Sequence, residues 1–190
     1  MWSKLVDTNV GIIAKEQYDK NSCQYHNWQH ILNCYDYLES QNVAYDQDLD
    51  YAVLHHDIVY DQWPNKEARS AGYLINEYPR RMGASEAIMA TIDHRIKDRR
   101  EISKWMIRAD LHQLADKKLA VNNYSKIMNE SISIYKIDVI TFAKNNLLFM
   151  QFLRKTILEN YTLDVDDFWL KVLEGIELTI DISLSLIKHA

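Results

Sequence analysis

The chain has 190 residues, of which 47% are hydrophobic and 26% are charged, a balance typical of a globular protein rather than a disordered one. This length fits one domain, and four glycines and two prolines are too few for the turns of a many-stranded sandwich or barrel. The 22 basic and 27 acidic side chains give a net charge of −5, which argues against a dedicated nucleic-acid binder.

Apolar residues recur at helical spacing through the first half of the chain. Trp28, Ile31 and Tyr35 share one face and predict a helix over about 26–40. A second apolar stripe, 49–56, predicts another helix, which runs into a loop marked by Pro64. After this loop, the sequence predicts a helix with Asn65 as its N-cap, ended by Pro79.

The second half of the chain is also predicted to be helical. The expected helices are 85–96, 101–116, part of 117–135, 137–158 and 165–188. Apolar residues alternate over 178–186, so a strand is an alternative there, but the length of the apolar run favours a helix. We therefore expect one all-α domain over residues 1–190, with eight or nine helices. The helices of 137–188 would complete its core or form the face of a homodimer.

The start of the chain and the cysteines bear on location. The first residues are interrupted by charges and carry no secretory signal, and no segment approaches the roughly 18 uninterrupted apolar residues of a membrane span. Cys23 and Cys34 are too far apart for a close-spaced metal pair, and two free thiols are favoured over a disulfide. These features predict a cytoplasmic protein with no membrane partner.

Histidines and aspartates form an ordered constellation in residues 25–112. His26 and His30 are four residues apart, so on a helix their rings would lie on the same face. His56 and Asp57 are adjacent and offer a nitrogen and an oxygen ligand; further candidates downstream are His94 and Asp110. Imidazole and carboxylate ligands together suit Mn, Fe, Co, Ni or Zn, and Mg if oxygen ligands dominate.

On these residues, the sequence resembles the HD-domain superfamily of metal-dependent phosphohydrolases. Its signature is a histidine, an adjacent His-Asp pair and a distant aspartate, which map to His30, His56, Asp57 and Asp110. The run YHNWQH also resembles the YHNxxH segment of cyclic-nucleotide phosphodiesterases. The segments YHNWQHI, HHDIVYD, NKEARSA, TIDH and ADL together are similar to a small bacterial family of predicted HD-superfamily hydrolases, over residues 18–112.

The resemblance implies a single compact HD-type helical bundle that binds one or two divalent metal ions. The implied ligands are His30, His56, Asp57, Asp110 and His94. Asp57 could also bridge to a second ion, and His94 resembles the extra histidine that contacts a second metal or the bridging water. His26 matches the histidine that donates a proton to the leaving group, so His26 and Asp57 are the catalytic candidates.

Other residues near the motifs are weaker candidates for substrate contacts. These are Asn27, Glu67, Arg95 and Lys97. Glu67 could equally be a first-turn helix carboxylate favoured by the helix dipole, and the basic run 94–100 could be a solvated helix end. Tyr60 and Trp63 could stack on a base or sugar, or belong to the core or rim. His55 is expected to pack or to support a ligand rather than to bind metal.

The predicted function is hydrolysis of a phosphomonoester or phosphodiester in a small phosphorylated substrate, with a nucleotide as the expected class. Two alternatives remain open at this stage. One is a di-iron oxygenase on the same scaffold, which would need a fuller ligand set. The other is a nucleotide-binding sensor that turns nothing over, although such decayed sites usually lose ligands and this one has a complete set.

Overall fold

The computed structural model describes residues 1–21, 23–96, 101–163 and 167–190. Within these ranges all regular structure is helical: nine α-helices and one short 3-10 helix. The prediction of an all-α fold is confirmed, and the alternating segment 178–186 lies inside a helix. Among the described residues, no helix combines the length and the apolar character needed to cross a membrane.

Contacts along the chain define two compact units, Met1–Asp110 and Leu111–Ala190. The expectation of a single domain stays a prediction. The described residues of the first unit form six helices, the last of which ends one residue beyond the unit. They are Asn9–Asn21 (α1), Trp28–Ser40 (α2), Gln47–His55 (α3), Lys66–Glu77 (α4), Met82–Ala90 (α5) and Glu101–Leu111 (α6). Every described residue of the predicted metal site lies in this unit.

Capping side chains set the starts of the helices that carry the site. Asn27 precedes α2, and its side chain accepts hydrogen bonds from the backbone N–H groups of Gln29 and His30. Asp46 caps α3 in the same way. Asn65 precedes α4, as predicted, but its φ of 59° is left-handed and its side chain makes no capping bond. Asn65 therefore occupies the N-cap position with a left-handed backbone conformation, which asparagine tolerates, and without a capping side-chain hydrogen bond.

The core of the first unit is apolar and draws on all six of its helices. Ile31 and Tyr35, two members of the stripe predicted for α2, are completely buried. Fully burying a leucine or isoleucine side chain contributes about 1.5–3 kcal/mol, and this core contains several. Among them are Leu38, Leu49, Leu54, Leu74 and Ile88. Since α2 and α3 pack into this core, it also sets the positions of His30 at the start of α2 and of His56 just after α3.

In the second unit, a 3-10 helix is followed by three long helices. Their bounds are His112–Ala115 (3-10), Lys117–Tyr135 (α7), Val139–Asn160 (α8) and Asp167–Lys188 (α9). The helix α9 packs on both α8 and the 3-10 helix. A side chain at Gly175 would place its Cβ 1.9 Å from the carbonyl oxygen of Leu114, so glycine is required where α9 meets the 3-10 helix.

One helix was not predicted, and three boundaries differ from the prediction. The helix α1 was not predicted. Its buried residues are Gly11, Ala14 and Tyr18, whereas its two isoleucines, Ile12 and Ile13, are exposed, so no apolar stripe marks it in the sequence. The helix α2 begins at Trp28, so His26 lies outside it. The helix α5 ends at Ala90, and His94 lies in a following turn with a φ of 54°. The predicted helix 101–116 divides into α6 and the 3-10 helix.

Candidate metal centre

The predicted ligands come from four separate places in the first unit. His30 is in the first turn of α2, and His56 and Asp57 directly follow α3. His94 lies in the turn after α5, and Asp110 is in the last turn of α6. Packing of these helices brings side chains up to 80 residues apart in sequence into one cluster.

Three of these residues form a group that could hold a metal ion. One ligand atom from each of His30, His56 and Asp110 lies within 4.8 Å of the other two. The two histidine Nε2 atoms are 3.2 Å apart, and the His30 Nε2 is 3.5 Å from Asp110 Oδ1. Metal–nitrogen bonds of about 2.0–2.1 Å put neighbouring ligand atoms roughly 3.0–3.4 Å apart. The observed spacing therefore fits side chains that share one ion.

Asp57 and His94 each contact different members of this group. The Asp57 Oδ2 is 3.1 Å from His56 Nε2 and 3.7 Å from His30 Nε2, so it faces the same space as the two rings. The Nε2 of His94 is 3.4 Å from Oδ2 of Asp110, whereas His30 and His56 face its Oδ1. Asp110 thus separates His94 from the histidine pair.

Burial and neighbouring charges set the protonation of the cluster. His30 and His56 are 2% and 1% exposed. Burial lowers the pKa of His30. Burial also acts to lower the pKa of His56, but the charges of Asp57 and Asp110 outweigh it and raise this pKa to about 9. Without a metal ion, a proton on His56 therefore neutralises part of the carboxylate charge.

The carboxylates respond in the opposite direction. Burial acts to raise the pKa values of Asp57 and Asp110. The charge of His56 outweighs burial at Asp57, and hydrogen bonds with His30 and His94 do so at Asp110, so both pKa values are lowered. Two ionised carboxylates in an enclosed cluster need a neighbouring positive charge; protonated His56 supplies it without a metal ion, and a divalent ion would also fit this donor set.

The tautomer of His56 also suits a metal ligand. Its Nδ1 is 2.9 Å from the carbonyl oxygen of Val53, to which it donates a hydrogen bond. This bond places the lone pair of a neutral His56 on Nε2, the atom that faces the cluster. Ligating histidines in proteins are commonly held in this way by a partner on the other ring nitrogen.

His26 lies beside the cluster rather than in it. Its ring centroid is 6.1 Å from that of His30, and its charge contributes to lowering the pKa of Asp57. His26 is half-buried, as is Asp110, whereas His30, His56 and Asp57 are buried. Although His26 is not on α2, the bend before the helix places its ring on the same side as His30.

The predicted substrate-binding residues have different positions. The side chain of Asn27 is engaged by the backbone: it accepts two hydrogen bonds as the cap of α2 and donates to the carbonyl oxygens of Cys23 and Gln24. Glu67 lies in the first turn of α4, and Arg95 is half-buried next to His94. Lys97 and most of the basic run 94–100 lie outside the described residues.

Two neighbours of the site were not predicted from the sequence. Cys34 Sγ is 3.9 Å from His30 Nε2 and donates to the carbonyl oxygen of Ala109. Burial raises the pKa of this thiol well above its usual value, and both cysteines are free. The spacing of four residues between His30 and Cys34 could have indicated this contact. Tyr25 is the other neighbour, with its ring 4.9 Å from that of His30.

His55 points away from the metal group into an aromatic pocket. Its ring stacks on Tyr51 and contacts Tyr73 and Tyr78. Its Nδ1 donates a hydrogen bond of 2.8 Å to the carbonyl oxygen of Tyr51. Burial lowers the pKa of His55 to about 4, so the ring is neutral at pH 7 and packs as an aromatic residue.

Comparisons with known proteins found no match. No protein-family model matches this chain, no curated protein matches it, and no solved structure matches it. The likeness to the HD-domain superfamily therefore rests on the motif residues themselves.

Proposed function

We propose that this protein is a metal-dependent phosphohydrolase that cleaves a phosphomonoester or phosphodiester in a small molecule, with a nucleotide as the expected class. The observation that carries the proposal is the convergence of His30, His56 and Asp110, with Asp57 beside them, in the order of the HD signature. A divalent ion held by these residues supplies hydroxide near neutral pH and polarises a phosphoryl oxygen.

The residues of the chain divide the remaining work. Once the proton of His56 is released, His30 and His56 would present Nε2 lone pairs to the ion, and Asp57 and Asp110 would add negative charge that a divalent ion balances. Asp57 would also be available to hold a second ion. His94, on the far oxygen of Asp110, either orients that carboxylate or binds the second ion.

His26 is proposed as the general acid. Its ring is half-buried beside Asp57, where it can meet both water and a bound substrate. As the phosphorus–oxygen bond to the leaving group breaks, a ring nitrogen of His26 would donate its proton to the departing oxygen. Histidine suits this role because its ring exchanges protons near neutral pH, and such catalysis contributes about 10²–10⁴-fold to the rate.

The test is a panel of phosphomonoesters and phosphodiesters, including nucleotides, assayed with Mn, Mg, Co, Ni and Fe. We expect hydrolysis with at least one of these metals and its loss on chelation. Asp110→Asn should lose metal in a calorimetric titration, whereas His26→Ala should bind metal normally and lose about 100-fold or more in kcat. His189→Gln, an exposed residue after α9, is the control for histidine removal.

Metal stoichiometry and oxygen uptake separate the alternatives. Two ions per chain, reduced to one in His94→Ala, would support the assignment of His94 to a second ion. Oxygen consumption by the iron-loaded protein without phosphoester hydrolysis would replace the proposal with an oxygenase. Nucleotide binding without turnover, with every metal, would replace it with a sensor.

A further inference from the structure

The ring of Tyr60 is enclosed on both faces by basic side chains. The His26 ring stacks on it with centroids 4.0 Å apart and planes 19° apart. The Lys66 Nζ lies 3.5 Å from the Tyr60 centroid. A face that carries an imidazole at 4.0 Å has no room for an ammonium group at 3.5 Å, so the two occupy opposite faces. Tyr60 is therefore not available to stack on a substrate base.

The backbone on either side of Tyr60 is attached to α4. On one side, the Val59 N–H donates a hydrogen bond of 3.1 Å to Oγ of Ser70, a completely buried side chain. On the other side, both Asp61 carboxylate oxygens accept hydrogen bonds of 2.7 Å from the Arg69 guanidinium. A bidentate pair of this kind restricts orientation as well as distance. These contacts attach the loop to α4 on both sides of Tyr60, and we call the Tyr60 ring held in this way the platform.

His26, by contrast, lies on a bend before α2 and is not placed by the hydrogen bonds of a helix. The rings of two tyrosines contact it, Tyr60 face to face and Tyr25 in a T-shaped arrangement at 4.7 Å. Stacking on Tyr60 restricts the plane of the imidazole, and both ring nitrogens point within that plane. Their direction matters because a proton donor must lie within hydrogen-bond reach of the departing atom.

We propose that Tyr60 is a positioning residue for His26: its aromatic ring, held by α4, keeps the imidazole in the orientation needed for proton donation. The effect on rate rests on the proposed function, whereas the placement of His26 does not. A small misplacement of a reacting group can cost about 100-fold in rate. Loss of the platform should thus lower kcat and leave KM and metal affinity nearly unchanged.

The test compares Tyr60→Leu, which removes the aromatic ring, with Tyr60→Phe, which keeps it. We expect kcat to fall at least tenfold in Tyr60→Leu and to stay within about threefold of wild type in Tyr60→Phe, with KM similar in all three proteins. Independently of activity, the C–H protons of His26 in the metal-free protein should show an upfield ring-current shift in NMR spectra. This shift should persist in Tyr60→Phe and disappear in Tyr60→Leu.

A second pair of variants covers the case in which Tyr60→Leu does not fold. Arg69→Gln releases the loop beside the platform without altering either ring, and Arg80→Gln makes the same charge change at an exposed residue of the first unit. We expect a partial loss of the His26 shift and a fall in kcat only in Arg69→Gln. Arg69→Gln is then the deciding variant.

The outcomes distinguish the two proposals. If no metal or phosphoester gives activity, the proposed function fails, and the His26 resonances still decide whether Tyr60 holds that ring. The positioning role is overturned if these resonances are the same in Tyr60→Leu and wild type, or if they move while kcat does not. It is also overturned if Tyr60→Phe loses as much activity as Tyr60→Leu, because the hydroxyl group would then matter rather than the ring.

Discussion

Replacing His55 by phenylalanine should reduce the fall in the free energy of unfolding that the protein shows as the pH is lowered below 6.5. His55 is 2% exposed among tyrosine rings, and burial lowers its pKa from 6.5 to about 4. Between these two values, the unfolded chain binds a proton at His55 that the folded chain does not. The contribution of His55 to stability is therefore fully present above pH 6.5 and is lost as the pH falls through 4.

The size of the effect follows from the two pKa values. A shift from 6.5 to about 4 corresponds to a loss of about 3 kcal/mol once the pH is below 4. At pH 5 the same shift gives about 2 kcal/mol, and at pH 7 it gives almost nothing. Because the side chain is almost completely buried, screening by solvent does not reduce this contribution.

Urea unfolding at pH 7, 6 and 5 in the presence of a chelator measures the effect. Other groups that titrate over this range, including the metal cluster, are common to wild type and His55→Phe and cancel in the difference between them. We expect the free energy of unfolding of His55→Phe, relative to wild type, to rise by about 2 kcal/mol from pH 7 to pH 5. His55→Gln should behave in the same way, and His189→Gln should follow wild type. Parallel curves for wild type and both His55 variants would refute a neutral, buried His55.

Three further substitutions test the packing and capping that support the fold. Asn27→Ala removes the cap of α2 and should lower the free energy of unfolding by about 1 kcal/mol in urea titrations. Asn27→Ser should recover most of this loss, because serine can also cap a helix. Equal stability of the two variants would contradict the capping role. Asp50 is completely buried and accepts hydrogen bonds from Ser3, Lys4 and Tyr35. Asp50→Ala should therefore cost about 3 kcal/mol in the same assay, because buried donors lose their acceptor; a loss below 1 kcal/mol would show that these contacts contribute little. Gly175→Ala should lower the midpoint of thermal unfolding, because the added Cβ would collide with Leu114. This loss should outweigh the intrinsic helix preference of alanine over glycine, about 1 kcal/mol. A raised midpoint would mean that α9 can shift away freely.

The helical prediction succeeded where apolar residues form a clear stripe and failed where they do not. The face of α2 that contains Ile31 and Tyr35 is buried as predicted, since burial of a stripe at 3.6-residue spacing requires a helix. In α1, the core contacts come from Gly11, Ala14 and Tyr18 while isoleucines are exposed. A face with one large residue, Tyr18, beside glycine and alanine gives little hydrophobic periodicity, so this helix was not predicted.

The candidate metal group was predictable for a different reason. The spacing of His26 and His30 and the adjacent pair His56 and Asp57 indicated nitrogen and oxygen ligands, and the resemblance to the HD signature added Asp110 to them. The structure brings these three within reach of one ion. The spacing of His26 and His30 predicted rings on one helix face; the rings are indeed close, but the cap at Asn27 places His26 outside the helix.

The sequence by itself determined the all-helical class of this protein and the identity of the residues that could bind a metal ion, because helix periodicity and ligand chemistry are local properties of the chain. Only the tertiary structure decided which atoms meet. It placed His94 on the far oxygen of Asp110, buried His55 among tyrosines and stacked Tyr60 on His26. These contacts depend on how α2, α3 and α6 and the loop before α4 pack together, and no short-range pattern encodes the distances between them.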